Sequence, residues 1–229
     1  MTLLTYDTVN GMEQPVLLGS DVSKSRDLHD VAAMVMDRLR MCNMHMNRSP
    51  AGVAYAIIME ANSGYFGIQA MVEQINQWAA KENTFENRRT FIYPYSRDNN
   101  KKLHRLGVYG TWTSNEEKHN QAHDMQILLS HGALSFAHQY IAGGPNDPEG
   151  PEREKLALMT ELTNVREEML WPKTPHGQTK RTITGKSGTQ CDDRTMALFL
   201  AYTNSLRLRH GTESLRFREF LLNNGITMV

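Results

Sequence analysis

One apolar run does most to limit what this chain can fold into: VAYAIIM at residues 53–59, which ends at Glu60. Nearly every residue of the run is apolar, as in a strand that is covered on both faces within an α/β sheet. A second run of this kind, TFIYPY, occupies residues 90–95. We therefore expect both runs to form buried strands, with Glu60 at the end of the first.

The first half of the chain predicts strand, strand, helix, strand, helix, strand, which favours a mixed α/β sheet with helices on both faces. The Asn10-Gly11 pair favours a hairpin between the first two strands, because it tolerates the positive φ of a tight turn. Asp27 is a suitable N-cap for the first helix. The predicted elements cover residues 2–9, 15–22, 27–42, 53–59, 68–78 and 90–95.

The second half predicts further helices separated by loops. Thr113-Ser114-Asn115 is typical of a helix start, and Gly132 of a helix end. The remaining predictions are a short strand at 133–141, a helix at 152–170, a polar loop at 172–190 and a last helix with apolar residues from Met196 to Leu208.

Two adjacent carboxylates, Asp192 and Asp193, stand between a loop rich in Gly and Ser and that last helix. One interpretation is structural, since acidic residues at a helix start are favoured by capping and by the helix dipole. The other is catalytic. A strand-end Glu60 together with a helix-start aspartate pair could gather the several carboxylates that two-metal phosphoryl transfer requires.

Four cations lie near the aspartates: Lys180, Arg181, Lys186 and Arg194. Lys and Arg side chains supply the sequence-independent part of duplex binding through phosphate contacts. A solvated loop with ordinary charges is the competing interpretation.

The composition excludes some classes of protein. Lys plus Arg and Asp plus Glu balance at 25 each, so any basic surface must be local. The 2 cysteines are too few for a disulfide scaffold, and no signal peptide or long apolar run is evident. We therefore expect a soluble protein in a reducing compartment.

Two familiar motifs are incomplete. Gly185-Lys186-Ser187 lacks the earlier glycine of a phosphate-binding loop, because Lys180 occupies that position. His119 and His123 could share a helix face, yet the motifs that accompany zinc are missing from the sequence.

Three blocks of sequence resemble the C-terminal nuclease domain of viral terminase large subunits, most closely those of herpesviruses and their relatives. The first, residues 56–75, resembles that family's strand, catalytic Glu, Asn-Ser turn and following helix. The second, residues 107–136, resembles a Thr-Ser helix start followed by Gly and a short strand. The third, residues 158–169 together with 185–202, resembles the closing segment with its Asp-Asp.

The resemblance implies an RNase H-like fold and a metal-dependent endonuclease that cuts concatemeric double-stranded viral DNA into genome lengths. Glu60 and one or both of Asp192 and Asp193 would be metal ligands for two Mg²⁺ or Mn²⁺ ions. The implied partners are double-stranded DNA, the terminase ATPase motor domain, other terminase subunits and the portal, in the host nucleus and away from membranes. We expect this nuclease domain to cover residues 1–210, followed by a C-terminal tail at 211–229.

One departure from the family concerns its first catalytic Asp, which lies on a first strand that this chain does not match. The sequence therefore predicts a sheet without that strand. Asp7 is the carboxylate that could substitute, and Asp21 is a weaker candidate on the next strand. The alternative function is a non-catalytic DNA-binding or motor-docking module with the same fold and an incomplete metal site. A cellular resolvase or transposase of this fold is more remote.

Overall fold

The computed structural model of the chain describes residues 1–45, 52–60, 65–85, 89–97, 110–144, 146–172, 177, 179–186, 192–211 and 213–226. Six α-helices and nine β-strands lie within these residues. The chain divides into two compact units. Unit 1 comprises Met1–Val22 and Ser114–Thr203, and unit 2 comprises Ser23–Thr113 and Asn204–Val229.

Unit 1 contains five strands, two whole helices and the first part of a third helix. They are β1 (Thr2–Val9), β2 (Met12–Ser20), α3 (Asn115–Ser130), β7 (Ser135–Phe136), α4 (Gly150–Thr163), β8 (Arg166–Leu170), β9 (Lys180–Thr184) and the first part of α5 (Asp193–His210). Strands β1 and β2 form the predicted antiparallel hairpin, and β7 pairs with β2 in parallel. Asn10 and Gly11 have φ values of 53° and 77°, which confirms the predicted turn.

The core of unit 1 lies among β2 and helices α3, α4 and α5. Its buried members are Leu17, Met125, Leu128, Tyr140, Ala142, Leu158, Leu198 and Phe199. Ile183 of β9 is partly buried and packs against this cluster. The contact fixes one end of the β8–β9 hairpin to the body of the unit.

Unit 2 contains four strands, three whole helices and the end of α5. They are α1 (Leu28–His45), β3 (Val53–Ile57), α2 (Tyr65–Phe85), β4 (Thr90–Pro94), β5 (Ser96–Arg97), β6 (Gly110–Thr111) and α6 (Ser214–Asn223). Strands β3 and β4 form at the two apolar runs, as predicted, and pair in parallel from Val53 opposite Thr90. All five residues of β3 are half-buried rather than fully buried.

Both predicted helix starts are confirmed. The Asp27 carboxylate accepts a hydrogen bond from the backbone N–H of His29 at 2.8 Å, at the head of α1. Ser114 and Glu117 form a reciprocal capping box at the head of α3. Such caps satisfy N–H groups that have no partner within the helix.

The helix predicted at 152–170 is wrong in its second part, and so is the loop predicted at 172–190. Helix α4 ends at Thr163, and β8 follows it at once. The β-branched residues of β9 pair with β8 in an antiparallel hairpin, which satisfies the backbone of both segments. The strand predicted at 133–141 is also shorter than expected, since it covers only Ser135–Phe136.

The segment at 211–229, which we expected to be a tail, includes helix α6. The rings of Phe217 and Phe220 pack edge-on against Tyr93, with centroids 5.1 and 5.2 Å away. Leu221 is buried in the same unit. These residues therefore belong to the folded part of unit 2.

Candidate functional site

Asp192 occupies the N-cap position of α5, and its carboxylate is buried. Its backbone carbonyl accepts the hydrogen bond from Met196 that begins the helix, at 2.9 Å. Its Oδ2 atom accepts two more, from the Thr184 hydroxyl at 3.0 Å and the Gly185 backbone N–H at 2.9 Å. Asp192 therefore attaches the end of β9 to the start of α5. The N–H of Thr195 in the first turn is capped instead by Oε2 of Glu161, at 3.0 Å.

Asp193, the next residue, is exposed in the first turn of α5. Its carboxylate forms no hydrogen bond or salt bridge with another residue that the structure describes. The positive end of the helix dipole favours a negative charge at this position. Of the two aspartates, Asp193 is the one whose oxygens remain available to a ligand.

Arg194 is paired inside the protein rather than presented to solvent. Its Nε donates to Oε2 of Glu154 at 2.9 Å, and its Nη1 donates to Oε1 of Glu161 at 2.7 Å. Burial works to lower the pKa of Arg194, but its hydrogen bonds to Glu154 and Glu161 outweigh that effect and raise it. This internal pairing argues against the predicted phosphate contact by Arg194. It ties the start of α5 to α4 instead.

Asp21 directly follows β2, and its side chain is buried. Its Oδ2 accepts a hydrogen bond from the Gly143 backbone N–H at 3.1 Å. The amino group of Met1 donates to the Asp21 carbonyl at 2.7 Å. Burial lowers the pKa of that amino group, while the nearby charges of Asp21 and Asp193 act to raise it. Both carboxylates therefore act electrostatically on the same amino group.

Asp7 lies elsewhere in unit 1. It is exposed on β1 opposite Gln14, near the hairpin turn, and its carboxylate accepts a hydrogen bond from the backbone of Thr8. Six residues of extended strand separate it from Met1, or about 20 Å. Asp7 thus lies at the far end of β1 from Met1, whereas the Asp21 carbonyl accepts a hydrogen bond from the Met1 amino group.

Glu60 is exposed in unit 2, just beyond β3. It forms an isolated parallel bridge with Thr111, whose backbone N–H donates to the Met59 carbonyl at 2.8 Å. The turn predicted at 61–64 lies outside the described residues. The predicted convergence of Glu60 with Asp192 and Asp193 joins a residue of unit 2 to residues of unit 1, and it stays a prediction.

Three of the four predicted basic residues are exposed: Lys180, Arg181 and Lys186. The sequence placed Lys180 and Arg181 in a loop, but both lie on strand β9. Arg181 has Glu167 of the neighbouring strand 3.5 Å from its Nε. Exposed ion pairs of this length contribute little stability, so Arg181 can exchange Glu167 for another anion.

Sequence reasoning missed the two buried glutamates that hold Arg194. Glu154 and Glu161 are buried on the same face of α4 as Leu158, at the i, i+4 and i+7 spacing of a core-facing stripe. Acidic residues on an apolar helical stripe are the signal that could have revealed them, because a buried carboxylate needs a partner.

Among the described residues, no group of three or more His, Cys, Asp and Glu side chains is arranged to hold a metal ion. Likewise, no described helix is long and apolar enough to cross a membrane.

No family model matches the sequence, and no curated protein matches it. The fold does match a solved structure, the human cytomegalovirus terminase nuclease domain, soaked with Mn and bound to an inhibitor. The TM-score is 0.54 at 12% sequence identity, and the match covers 83% of this chain and 70% of that one. The predicted resemblance and the predicted mixed α/β class are thereby confirmed at the level of fold. This chain has the RNase H-like fold of a viral terminase nuclease domain.

Proposed function

We propose that this chain is a metal-dependent endonuclease of a viral DNA-packaging terminase, which cuts concatemeric double-stranded DNA into genome lengths. The observation that carries the proposal is the fold similarity to a terminase nuclease domain over 83% of the chain. The exposed Asp193 at the head of α5 supports it, since a carboxylate with free oxygens is what such chemistry needs.

The chemistry of the available donors fits Mg²⁺ or Mn²⁺, because hard cations prefer carboxylate oxygens. We propose Glu60 and Asp193 as ligands; Asp21 could act as the third only by releasing the backbone hydrogen bonds from Val22 and Gly143 that its two carboxylate oxygens accept. The Mn soak of the structural neighbour is consistent with a divalent ion. Two bound divalent ions would supply an activated water and stabilisation of the leaving oxygen.

The chain's own residues would position the ligand and grip the substrate. Asp192 has its Oδ2 committed to Thr184 and Gly185, so its role is to hold Asp193 at the helix start. Lys180, Arg181 and Lys186 would contact phosphates without reading sequence.

The remaining parts of the proposal come from the same likeness. The partners would be the terminase ATPase motor domain, other terminase subunits and the portal, and the place of action would be the host nucleus.

Plasmid cleavage in Mg²⁺ or Mn²⁺ tests the activity. Asp193→Asn and Glu60→Gln should each abolish cleavage while thermal melting stays close to that of the unmodified chain. Asp30→Asn is the matched control, because Asp30 is also an exposed acid in a first helical turn, that of α1. Cleavage that survives Asp193→Asn and Glu60→Gln would refute the assignment of ligands.

The alternative is a non-catalytic DNA-binding or motor-docking module. The observation in its favour is that no group of three metal-binding side chains is assembled among the described residues. Salt-sensitive DNA binding by the unmodified chain, with no cleavage in either metal, would favour this module over the enzyme.

A further inference from the structure

The outer end of the β8–β9 hairpin carries an exposed apolar patch, Met169, Leu170 and Trp171. Trp171 is 78% exposed, and its two neighbours are 50% and 49% exposed. A tryptophan this exposed leaves a large aromatic face in contact with water, which is unfavourable unless a ligand covers it.

Basic residues lie across the hairpin from this patch. The strand register sets Leu170 opposite Lys180 and Met169 opposite Arg181. Lys180 makes no salt bridge to another described residue, and Arg181 has only the 3.5 Å contact with Glu167. Because side chains alternate between the two faces of a strand, Arg181 shares one face with Met169 and Lys180 shares the other with Leu170. Both faces of the outer end are therefore apolar and positively charged.

The acidic residues of the hairpin lie nearer its base. Glu167 pairs across the strands with Ile183, and Glu168 with Thr182. Glu168 is further neutralised by Arg166, whose Nη2 lies 2.5 Å from its Oε1. The carboxylates Glu167 and Glu168 thus lie toward the body of unit 1, where Arg166 pairs with one of them, and Lys180 and Arg181 lie at the end that carries Trp171.

An aromatic ring beside cations matches the chemistry of unpaired nucleotides. Bases stack on aromatic side chains, and Lys and Arg contact the phosphates that follow them. An intact duplex offers phosphates but keeps its base faces stacked inside. We propose that Trp171 stacks on an unpaired base of DNA, with Lys180 and Arg181 on the adjoining phosphates. The inference rests on the proposed DNA-cutting function and adds the class of DNA that the hairpin selects.

The position of the patch relative to Asp193 follows from the hairpin itself. Strand β9 runs from Lys180 to Thr184, and Thr184 and Gly185 both hydrogen-bond to Asp192, the neighbour of Asp193. Lys180 and Thr184 are four strand positions apart, or about 13 Å. Lys180 and Arg181 therefore lie a short stretch of strand away from the hydrogen bonds that hold the start of α5.

Fluorescence anisotropy without divalent metal tests the inference apart from cleavage. The full chain is titrated with a blunt duplex, the same duplex with a short central bubble, and the single strand. The unmodified chain should bind the bubble more tightly than the blunt duplex. Trp171→Ala should weaken bubble binding about tenfold and change blunt-duplex binding much less, whereas Trp171→Phe keeps most of the preference. Leu156→Ala, at another highly exposed apolar residue of unit 1, is the control and should change neither.

A second readout is tryptophan fluorescence, which a stacked base quenches. The chain has 3 tryptophans, so the quench on adding bubble DNA should largely disappear in Trp171→Phe. Equal losses of blunt and bubble binding in Trp171→Ala would overturn the inference. Unchanged binding of all three DNAs would overturn it too and indicate a protein partner for the patch. A selective loss in a chain that never cuts DNA would support the inference while defeating the enzymatic proposal.

Discussion

The backbone N–H of Gly185 donates a hydrogen bond to Oδ2 of Asp192 at 2.9 Å. Gly185 is close enough that a Cβ added to it would lie 3.1 Å from the Asp192 Cβ and 3.1 Å from the Glu161 carbonyl oxygen. Only a residue without a side chain fits there without displacing these neighbours. The contact gives the two adjacent aspartates different roles, since it binds Asp192 within the fold and leaves Asp193 exposed.

Asp192 and Asp193 should therefore differ in their effect on stability. Asp192→Ala removes the acceptor of two buried hydrogen bonds, from Thr184 and Gly185, and we expect it to lower the free energy of unfolding by about 2 kcal/mol. Asp193→Ala should change it by no more than about 0.5 kcal/mol, as is usual for exposed positions. Urea unfolding of the two variants measures the difference. Equal losses would contradict the division of roles.

Arg194→Met should be among the most destabilising single changes in unit 1. It leaves Glu161 buried without its cation and Glu154 with only the 3.5 Å contact to the exposed Arg153, a loss of about 3 kcal/mol. Arg153→Met is the control, because Arg153 is exposed, pairs closely with Asp147 at the surface and reaches Glu154 only at 3.5 Å. Its loss in the same urea unfolding experiment should be much smaller. Adding Glu154→Gln and Glu161→Gln to Arg194→Met should restore part of the stability, and no recovery would argue against the unpaired charges as the cause.

The sequence predicted those parts of the fold that local signals determine. Asn10-Gly11, Asp27 and Ser114 act within their own turns and helix starts, and all three predictions are confirmed. The β8–β9 hairpin was missed because its polar strands carry no clear alternation, and their pairing is decided by a segment ten or more residues away. The Arg194 network was missed for a similar reason, since it joins residues 33 and 40 positions apart.

In the candidate site, too, the sequence predicted what local signals determine and missed what depends on distant segments. The sequence identified Asp192 and Asp193 as a pair at a helix start, and it could not tell which carboxylate is bound within the protein. That depends on Thr184 and Gly185, which approach only when β9 forms. It likewise ranked Asp7 above Asp21, since the sequence alone does not show that the pairing of β1 with β2 puts Asp21, and not Asp7, beside Met1.

Tyr140 should make the protein sensitive to alkaline pH. Burial raises the pKa of its hydroxyl from the usual 10 to about 12, although the hydrogen bond with Ser20 opposes the shift. The unfolded chain therefore releases this proton first as the pH rises. The stability contributed by Tyr140 is fully present below pH 10 and is lost between about pH 10 and 12, up to about 2–3 kcal/mol.

Urea unfolding at pH 9 and pH 11 measures this loss. Tyr140→Phe should reduce the decrease in stability between the two pH values without removing it, because burial also raises the pKa of Tyr93 and Tyr202. An unchanged decrease in Tyr140→Phe would contradict the assignment to this hydroxyl.

Lys180, Arg181 and Lys186 should together set part of the salt dependence of DNA binding. Replacing all three with Ser should weaken duplex binding for every sequence and reduce the slope of log affinity against log salt by about 2 to 3. Anisotropy titrations at several salt concentrations give the slope. Replacing the exposed Lys24 and Lys81 of unit 2 with Ser is the control, and it should leave the slope nearly unchanged. An unchanged slope in the triple variant would show that DNA binds elsewhere.

The last helix, α6, should be needed for the stability of unit 2. A chain that ends at His210 loses the edge-on contacts of Phe217 and Phe220 with Tyr93, worth about 0.5–1.5 kcal/mol each. It also loses the burial of Leu221, worth about 1.5–3 kcal/mol. We therefore expect the truncation to lower the free energy of unfolding by about 4 kcal/mol in urea. A double variant, Leu215→Ala with Leu222→Ala, changes two exposed residues of the same helix and should have little effect. Unchanged unfolding after truncation would restore the interpretation of residues 211–229 as a tail, because a tail contributes no packing that its removal could cost.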